Sequence, residues 1–144
     1  MITPKLPRPT RAEEKAAYLA ATERDHNRCV RCGKSGTMSR DHRKNRSQGG
    51  RTDVQNLQIL CGSGVDGCHG RMTSHPAEAE REGFCVPQWG DPAEWPARRL
   101  VRGEYSIELI WCLYLPINAE GVADWVEIPA HEAKRRMSGD GKVF

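Results

Sequence analysis

The sequence predicts a small α+β fold, and three observations carry that prediction. Thr10-Arg-Ala-Glu13 opens an alanine-rich segment as a capping box would. Residues 37–82 read in order as strand, loop, strand and helix, with paired cysteines on either side of the loop. Residues 104–115 alternate, and Trp125-Val-Glu-Ile128 can pair with them as a hairpin.

The elements follow in chain order. Residues 1–9 hold three prolines and are expected to form an extended leader. A helix is expected from the Thr10 cap to about Arg24, carrying Ala16, Ala17, Leu19, Ala20 and Ala21. Cys29 to Gly36 reads as a turn, with Gly33 and Gly36 as its bending points. Thr37 to Arg43 is a short strand. Lys44 to Thr52 is a polar, basic loop with Gly49-Gly50 at its end, and Asn56 to Cys61 reads as a second, alternating strand. A glycine-rich loop over 62–67 leads into a helix from Cys68 to about Glu82, ended by Gly83. Pro76 is expected to break that helix, with Ser74 a candidate N-cap for the restart. Phe84 to Pro96 is loop. Beyond it, Tyr105, Ile107, Leu109, Trp111, Leu113 and Leu115 would share one strand face. A short helix over 130–137 closes the chain. The expected organisation is thus a leader (1–9), a unit built on the cysteine framework with its helix (10–83), and a loop plus β-hairpin extension of the same domain (84–144).

Charge is distributed unevenly. Residues 1–72 carry 14 Lys and Arg against 7 Asp and Glu; residues 73–144 carry 8 against 12. Within 28–51 there are eight basic residues and one acid, Asp41, which points to a polyanionic partner for that half. The first ten residues contain no apolar signal region, and no window is long and apolar enough to span a bilayer. A cytoplasmic location is therefore expected.

Cys29-Val-Arg-Cys32 and Cys61-(six residues)-Cys68 offer four thiolates in two pairs. Zinc takes four such ligands in a tetrahedron, so a structural zinc held by Cys29, Cys32, Cys61 and Cys68 is the leading reading. Reduced pairs, a disulfide, or a site in which a histidine replaces one cysteine are the alternatives. The six-residue gap is longer than the common two, but its three glycines allow a compact loop. Cys85 and Cys112 stand outside the framework, and Cys112, within an apolar strand pattern, reads as a buried small hydrophobe.

Between the cysteine pairs lie Asp41-His42, Gly49-Gly50 and Asn56-Leu57, and the second pair ends directly on His69. From about Cys29 to Gly83 the chain resembles the HNH endonucleases, in the subgroup stapled by four cysteines. The longer second gap departs from the common pattern. The resemblance implies a zinc-stapled ββα-metal core and a metal-dependent DNA endonuclease that nicks or cleaves double-stranded DNA, leaving 5′-phosphate and 3′-hydroxyl ends. It implies Asp41 and His69 as ligands of a catalytic divalent ion, magnesium or manganese first and nickel or zinc as further candidates. It also implies His42 as general base and Asn56 as the residue whose amide pins the loop that positions the base. Asp41 and His42 point to opposite faces of a regular strand, so the strand must end or distort there for both to serve one site. Arg43, Lys44, Arg46, Arg51 and Arg71 flank the motif as candidate DNA contacts, Arg43 and Arg46 foremost. His75 is a weaker third candidate for metal or phosphate; His26 and His131 read as ordinary surface residues.

The segment from Leu60 to Arg71, with Ser74-His-Pro-Ala-Glu-Ala and Gly83-Phe-Cys-Val, is similar to small bacteriophage HNH proteins. That similarity implies a role in genome packaging, terminase as a partner, and the host cytoplasm as the setting. Two other readings fit the cysteines and the charge. One is a non-catalytic zinc-stapled DNA-binding module. The other is a packaging-accessory protein that docks through Trp89, Trp95, Trp111 and Trp125, although those aromatics are more simply core.

Overall fold

The structure, a computed structural model, describes residues 7–139. The first six residues of the expected leader lie outside that range. The chain folds as helix α1 (Arg11–Arg24), strands β1 (Met38–His42) and β2 (Leu57–Cys61), helices α2 (Gly67–Ser74) and α3 (Pro76–Glu82), strands β3 (Ala97–Arg102), β4 (Ile107–Tyr114) and β5 (Trp125–Ile128), and helix α4 (Ala130–Ser138). Two antiparallel sheets result, β1-β2 and β3-β4-β5.

Helix α1 starts where the capping box is. The Glu13 amide donates to Thr10 Oγ1 at 3.1 Å, and the Thr10 amide donates to Glu13 Oε1 at 2.8 Å, so two orphan donors of the first turn are satisfied. Its small face, Ala17, Ala20 and Ala21, packs on Val54, Leu57 and Ala123. Small side chains let the helix lie close to β2, and Leu19 on the other side stays exposed.

Strands β1 and β2 pair in the register Met38↔Cys61 to His42↔Leu57. Alternation in β2 was expected, but all five of its residues are buried. The strand lies between α1 on one side and α2 with Phe84 on the other, so neither face meets water. The helix expected over 68–82 breaks at Pro76, as its ring requires. The restart is capped by His75, not Ser74, and no side chain caps it. Gly83 ends α3 at φ 88°. A side chain there would be strained, and would also strike the Trp111 ring, 2.6 Å from the position of a Cβ.

The C-terminal hairpin is present, β4 against β5 from Trp111↔Ile128 to Tyr114↔Trp125, and a third strand, β3, joins its other edge. The chosen face of β4 is the reverse of the expected apolar one. Ile110, Cys112 and Tyr114 are buried with Ala97, whereas Ile107, Leu109 and Leu115 are exposed. Tyr105, just ahead of the strand, is 93% exposed. Cys112 is wholly buried, and burial pushes its thiol up to about 11.

A buried polar junction ties the parts together. Arg24 donates to the carbonyls of Val54 (2.8 Å) and Leu57 (2.7 Å), and pairs with Asp25 at 2.9 Å. Arg99 of β3 reaches the same Asp25 carboxylate at 2.8 Å. The Tyr114 ring lies beneath the Arg24 guanidinium, 3.9 Å from its centroid. Helix α1, the first sheet and the second sheet therefore share one set of buried charges, each with hydrogen-bond partners.

Candidate metal centre and catalytic site

The four framework cysteines converge. Their sulfur atoms all lie within 4.8 Å of one another, none is in a disulfide, and Cys32 Sγ is 3.6 Å from Cys61 Sγ. A tetrahedron with zinc–sulfur bonds of about 2.3 Å has edges of about 3.8 Å, so the cluster fits one zinc ion. The turn after α1 brings Cys29 and Cys32 together, with Gly33 at φ 80° donating its amide to the Cys29 carbonyl. Cys61 ends β2, and Cys68 enters the first turn of α2 with its amide 3.3 Å from Cys61 Sγ. Glycines close the six-residue gap. A Cβ on Gly67 would lie 2.5 Å from the Cys61 carbonyl oxygen. Arg31 donates to Cys68 Sγ at 3.4 Å, offsetting negative charge that four thiolates would bring. Burial, first, and the neighbouring thiols push the Cys68 thiol up to about 12. Thiolates gathered this closely need a cation to hold them.

On the next residue the same helix turns to a second site. Cys68 faces the sulfur cluster and His69 faces β1, where His69 Nε2 lies 3.2 Å from Asp41 Oδ1. That hydrogen bond raises the His69 pKa above its ordinary value. The other ring nitrogen, Nδ1, is buried without a hydrogen-bond partner. Asp41 is also held from across the ladder. Gln58, its partner in register, donates to Asp41 Oδ2 at 2.9 Å and to the Phe84 carbonyl at 2.7 Å. A carboxylate oxygen and an imidazole nitrogen at this separation can both ligate one divalent ion. Such ions commonly keep few protein ligands and take the remainder from water and phosphate.

Strand β1 ends at His42. Its Nε2 lies 3.0 Å from Thr52 Oγ1 and 3.4 Å from Arg46 Nε, and the Tyr18 ring of α1 stands edge-on to the imidazole at 6.2 Å. Desolvation, and after it the Arg46 charge, hold the His42 pKa below its ordinary value, while Asp41 and Glu14 pull the other way. The imidazole is thus neutral at physiological pH and able to accept a proton.

The loop between the strands is fixed by Asn56, which is 2% exposed. Its amide donates to the carbonyls of Lys44 (3.0 Å) and Arg51 (2.8 Å), and its oxygen accepts from the Lys44 amide at 2.7 Å. Both ends of the 44–51 loop therefore rest on one side chain. Gly50 is required at the closure, because a Cβ there would lie 1.9 Å from the Lys44 carbonyl oxygen.

The candidate DNA contacts divide. Arg43 is not a surface residue: it is 1% exposed. Its guanidinium donates to the carbonyls of Gln55 (2.7 Å), Trp95 (2.9 Å), Pro96 (3.1 Å) and Pro92 (3.2 Å). It binds the 84–96 segment to the end of β1 and cannot reach a phosphate. Lys44 is half-buried and donates to the Gly90 carbonyl at 3.0 Å. Arg51 pairs with Asp53 at 2.9 Å and also donates to the Pro7 carbonyl. Arg71 is exposed but lies against Glu78 through two contacts of 3.0 and 3.1 Å. Arg46 is exposed beside His42, contacting Tyr18 and Thr52 at 3.0 Å each. His75 sits exposed at the α2–α3 break with Nδ1 3.0 Å from the Arg71 carbonyl, and belongs to no cluster of metal-ligating side chains among the described residues. His26 and His131 are exposed.

Gln58, Thr52 and Tyr18 were not singled out from sequence. Gln58 had a signal, a polar residue inside the apolar run Leu57–Leu60 and opposite Asp41 in an antiparallel ladder. Thr52 and Tyr18 had none, because only the closure of the loop and the docking of α1 bring them to His42.

The sequence model of the HNH endonuclease family matches residues 29–74. No curated protein and no solved structure matches the chain. The matched segment spans the sulfur cluster, both strands of the first sheet and helix α2, and no helix among the described residues is long and apolar enough to cross a membrane. Residues 29–74 carry an HNH endonuclease domain, a nuclease-type module whose four cysteines are arranged to hold a metal ion.

Proposed function

We propose that the chain is a metal-dependent DNA endonuclease, with Asp41 and His69 as ligands of a catalytic divalent ion and His42 as general base. The observation that carries this reading is the pairing of Asp41 Oδ1 with His69 Nε2 at 3.2 Å, one residue from an imidazole whose pKa is depressed. A bound magnesium or manganese ion would supply charge neutralisation at the scissile phosphate and the leaving oxygen.

The chain's own groups account for the rest. His42 Nε2, which accepts from Arg46 Nε and lies 3.0 Å from Thr52 Oγ1, is the ring nitrogen whose lone pair would take a proton from water once water displaces the arginine. The water oxygen bonds to phosphorus in line with the departing 3′ oxygen. The P–O3′ bond breaks, giving a 5′-phosphate and, once the 3′ oxygen is protonated, a 3′-hydroxyl. Arg46 beside His42 offers a guanidinium to a phosphate oxygen and keeps His42 neutral. Asn56 holds the 44–51 loop that carries Arg46. Gln58 fixes Asp41 from behind. The sulfur cluster, with its zinc, braces the start of α2 and takes no part in the chemistry.

Titration of manganese into the wild type and into Asp41→Asn and His69→Ala tests the ligand assignment. Affinity should fall at least tenfold in each variant with the zinc content unchanged. Equal affinity in all three would remove Asp41 and His69 from the metal site. A role in bacteriophage genome packaging beside terminase rests on the resemblance alone, and co-purification with a terminase subunit tests it.

A further inference from the structure

Two cavities meet at the 44–51 loop, and their walls differ in chemistry. The first, of about 580 Å³, is bordered by Arg8, Arg46 and Arg51 against one acid, Glu14, and also by Thr52, which touches His42. Its excess of positive charge suits a phosphate backbone. The second, of about 410 Å³, shares Gly49 and Arg51 with the first, so the two adjoin at the loop. It is lined by Lys44 and Arg51 but equally by Asp53 and Asp91, and its outer wall is Trp89. Balanced charge and two carboxylates make it a poor seat for a phosphate. Its size falls within the range of about 300–1,000 Å³ typical of small-ligand pockets.

Trp89 is 54% exposed, unusually open for an indole, and is braced edge-on against the buried Trp95, with ring centroids 4.9 Å apart and planes at 84°. Trp95 is in turn fixed by its carbonyl, which accepts from Arg43. A rigidly mounted indole beside carboxylates that can accept hydrogen bonds from exocyclic amino groups is a stacking platform for a nucleobase. Gly49, which both cavities share, carries no side chain, and a Cβ there would meet nothing within 4 Å.

We propose that the Trp89 pocket is a subsite for one unstacked nucleobase of the strand whose phosphate lies in the Arg46–Arg51 cleft. The substrate class is then DNA with an unpaired nucleotide beside the scissile bond, such as a bulge, a flap or a junction, in preference to uniformly paired duplex. The inference rests on the nuclease reading for the identity of the polymer, and its test is independent of cutting.

The test uses the full chain, without added divalent ion, and a short duplex carrying the fluorescent base 2-aminopurine either unpaired in a single-nucleotide bulge or paired with thymine. The wild type should bind the bulged duplex about tenfold more tightly than the paired one and quench the unpaired base, as stacking on an indole does. Trp89→Phe should keep most of both effects, and Trp89→Ala should lose the quenching and bring the ratio of the two affinities close to one. Equal quenching by wild type and Trp89→Ala overturns the subsite, and so does equal affinity of the wild type for the two duplexes. Nicking of plasmid by the same preparation is read separately. Cutting without a bulge preference sinks the subsite and leaves the nuclease. Quenching that depends on Trp89, with no cutting under any divalent ion, sinks the nuclease and leaves the subsite.

Discussion

Replacing Arg43 by methionine should unfold the protein at markedly lower denaturant, with no special effect on the salt dependence of DNA binding. The guanidinium is buried, its four hydrogen bonds all go to backbone carbonyls, and no carboxylate is among those partners. Burial depresses its pKa. A charged hydrogen bond contributes roughly 1.5–3 kcal/mol, and four would total about 6–12, but desolvating the cation costs several kcal/mol in return. Methionine relieves that cost, packs some of the volume, and strands carbonyls of Gln55, Trp95 and Pro96 that the surrounding loops cannot easily satisfy. The net loss is about 3–5 kcal/mol, from stranded carbonyls at about 1–3 kcal/mol each less the relieved desolvation. With a urea slope of about 1.5 kcal/mol per molar, the midpoint drops by about 2–3 M. Two assays decide: urea unfolding followed by tryptophan fluorescence, and DNA affinity across a salt series. A phosphate-contacting arginine would behave differently, lowering the magnitude of the salt slope by about one with stability nearly unchanged. That second pattern would refute the buried role given to Arg43.

Three further outcomes are expected. Asn56→Ala frees both ends of the 44–51 loop, and should lower kcat by about a hundredfold with KM little changed, since misplacing a catalytic group by about 1 Å has that effect; steady-state kinetics on a plasmid substrate reads it. The purified protein should contain one zinc per chain by elemental analysis, and Cys32→Ser or prolonged chelation should collapse the thermal transition, because binding of the ion is coupled to folding. Arg46→Gln removes a cation that lowers the His42 pKa; the pKa rises, more of the imidazole is protonated at a given acidic pH, and the acid limb of the pH–rate profile should move to higher pH.

What was legible in the sequence was local or chemically specific. Thr10 and Glu13 start α1 because their spacing alone satisfies the first turn. Pro76 breaks the 68–82 helix, and the four cysteines meet because the Cys29–Cys32 turn docks on β2 and glycines close the 62–67 gap. What was not legible depended on which surface each element meets. From Leu109 to Leu115 every residue is apolar, so alternation could not choose a face, and the packing of Tyr114 under Arg24 and Arg99 chose the even one. Strand β3, Ala-Arg-Arg-Leu-Val-Arg, carries three arginines and gave no apolar signal. It exists because β4 pairs with it and because Arg99 finds Asp25. Arg43 looked like a phosphate contact for the same reason, since a basic residue beside His42 in a basic stretch gives no sign that four carbonyls await it. The site's supporting residues, Thr52 and Tyr18, come from a loop and a helix whose approach only the tertiary fold determines.

The central claim, that His42 beside the Asp41–His69 pair drives hydrolysis, is tested most directly on supercoiled plasmid. Wild type and His42→Ala are compared with magnesium or manganese, each preparation first shown to hold its zinc and to melt normally. The account predicts nicking by the wild type that requires the added ion and falls by about 10²–10⁴-fold in the variant, the range a general base supplies. Nicking by His42→Ala at the wild-type rate, or nicking that persists without any divalent ion, would contradict it.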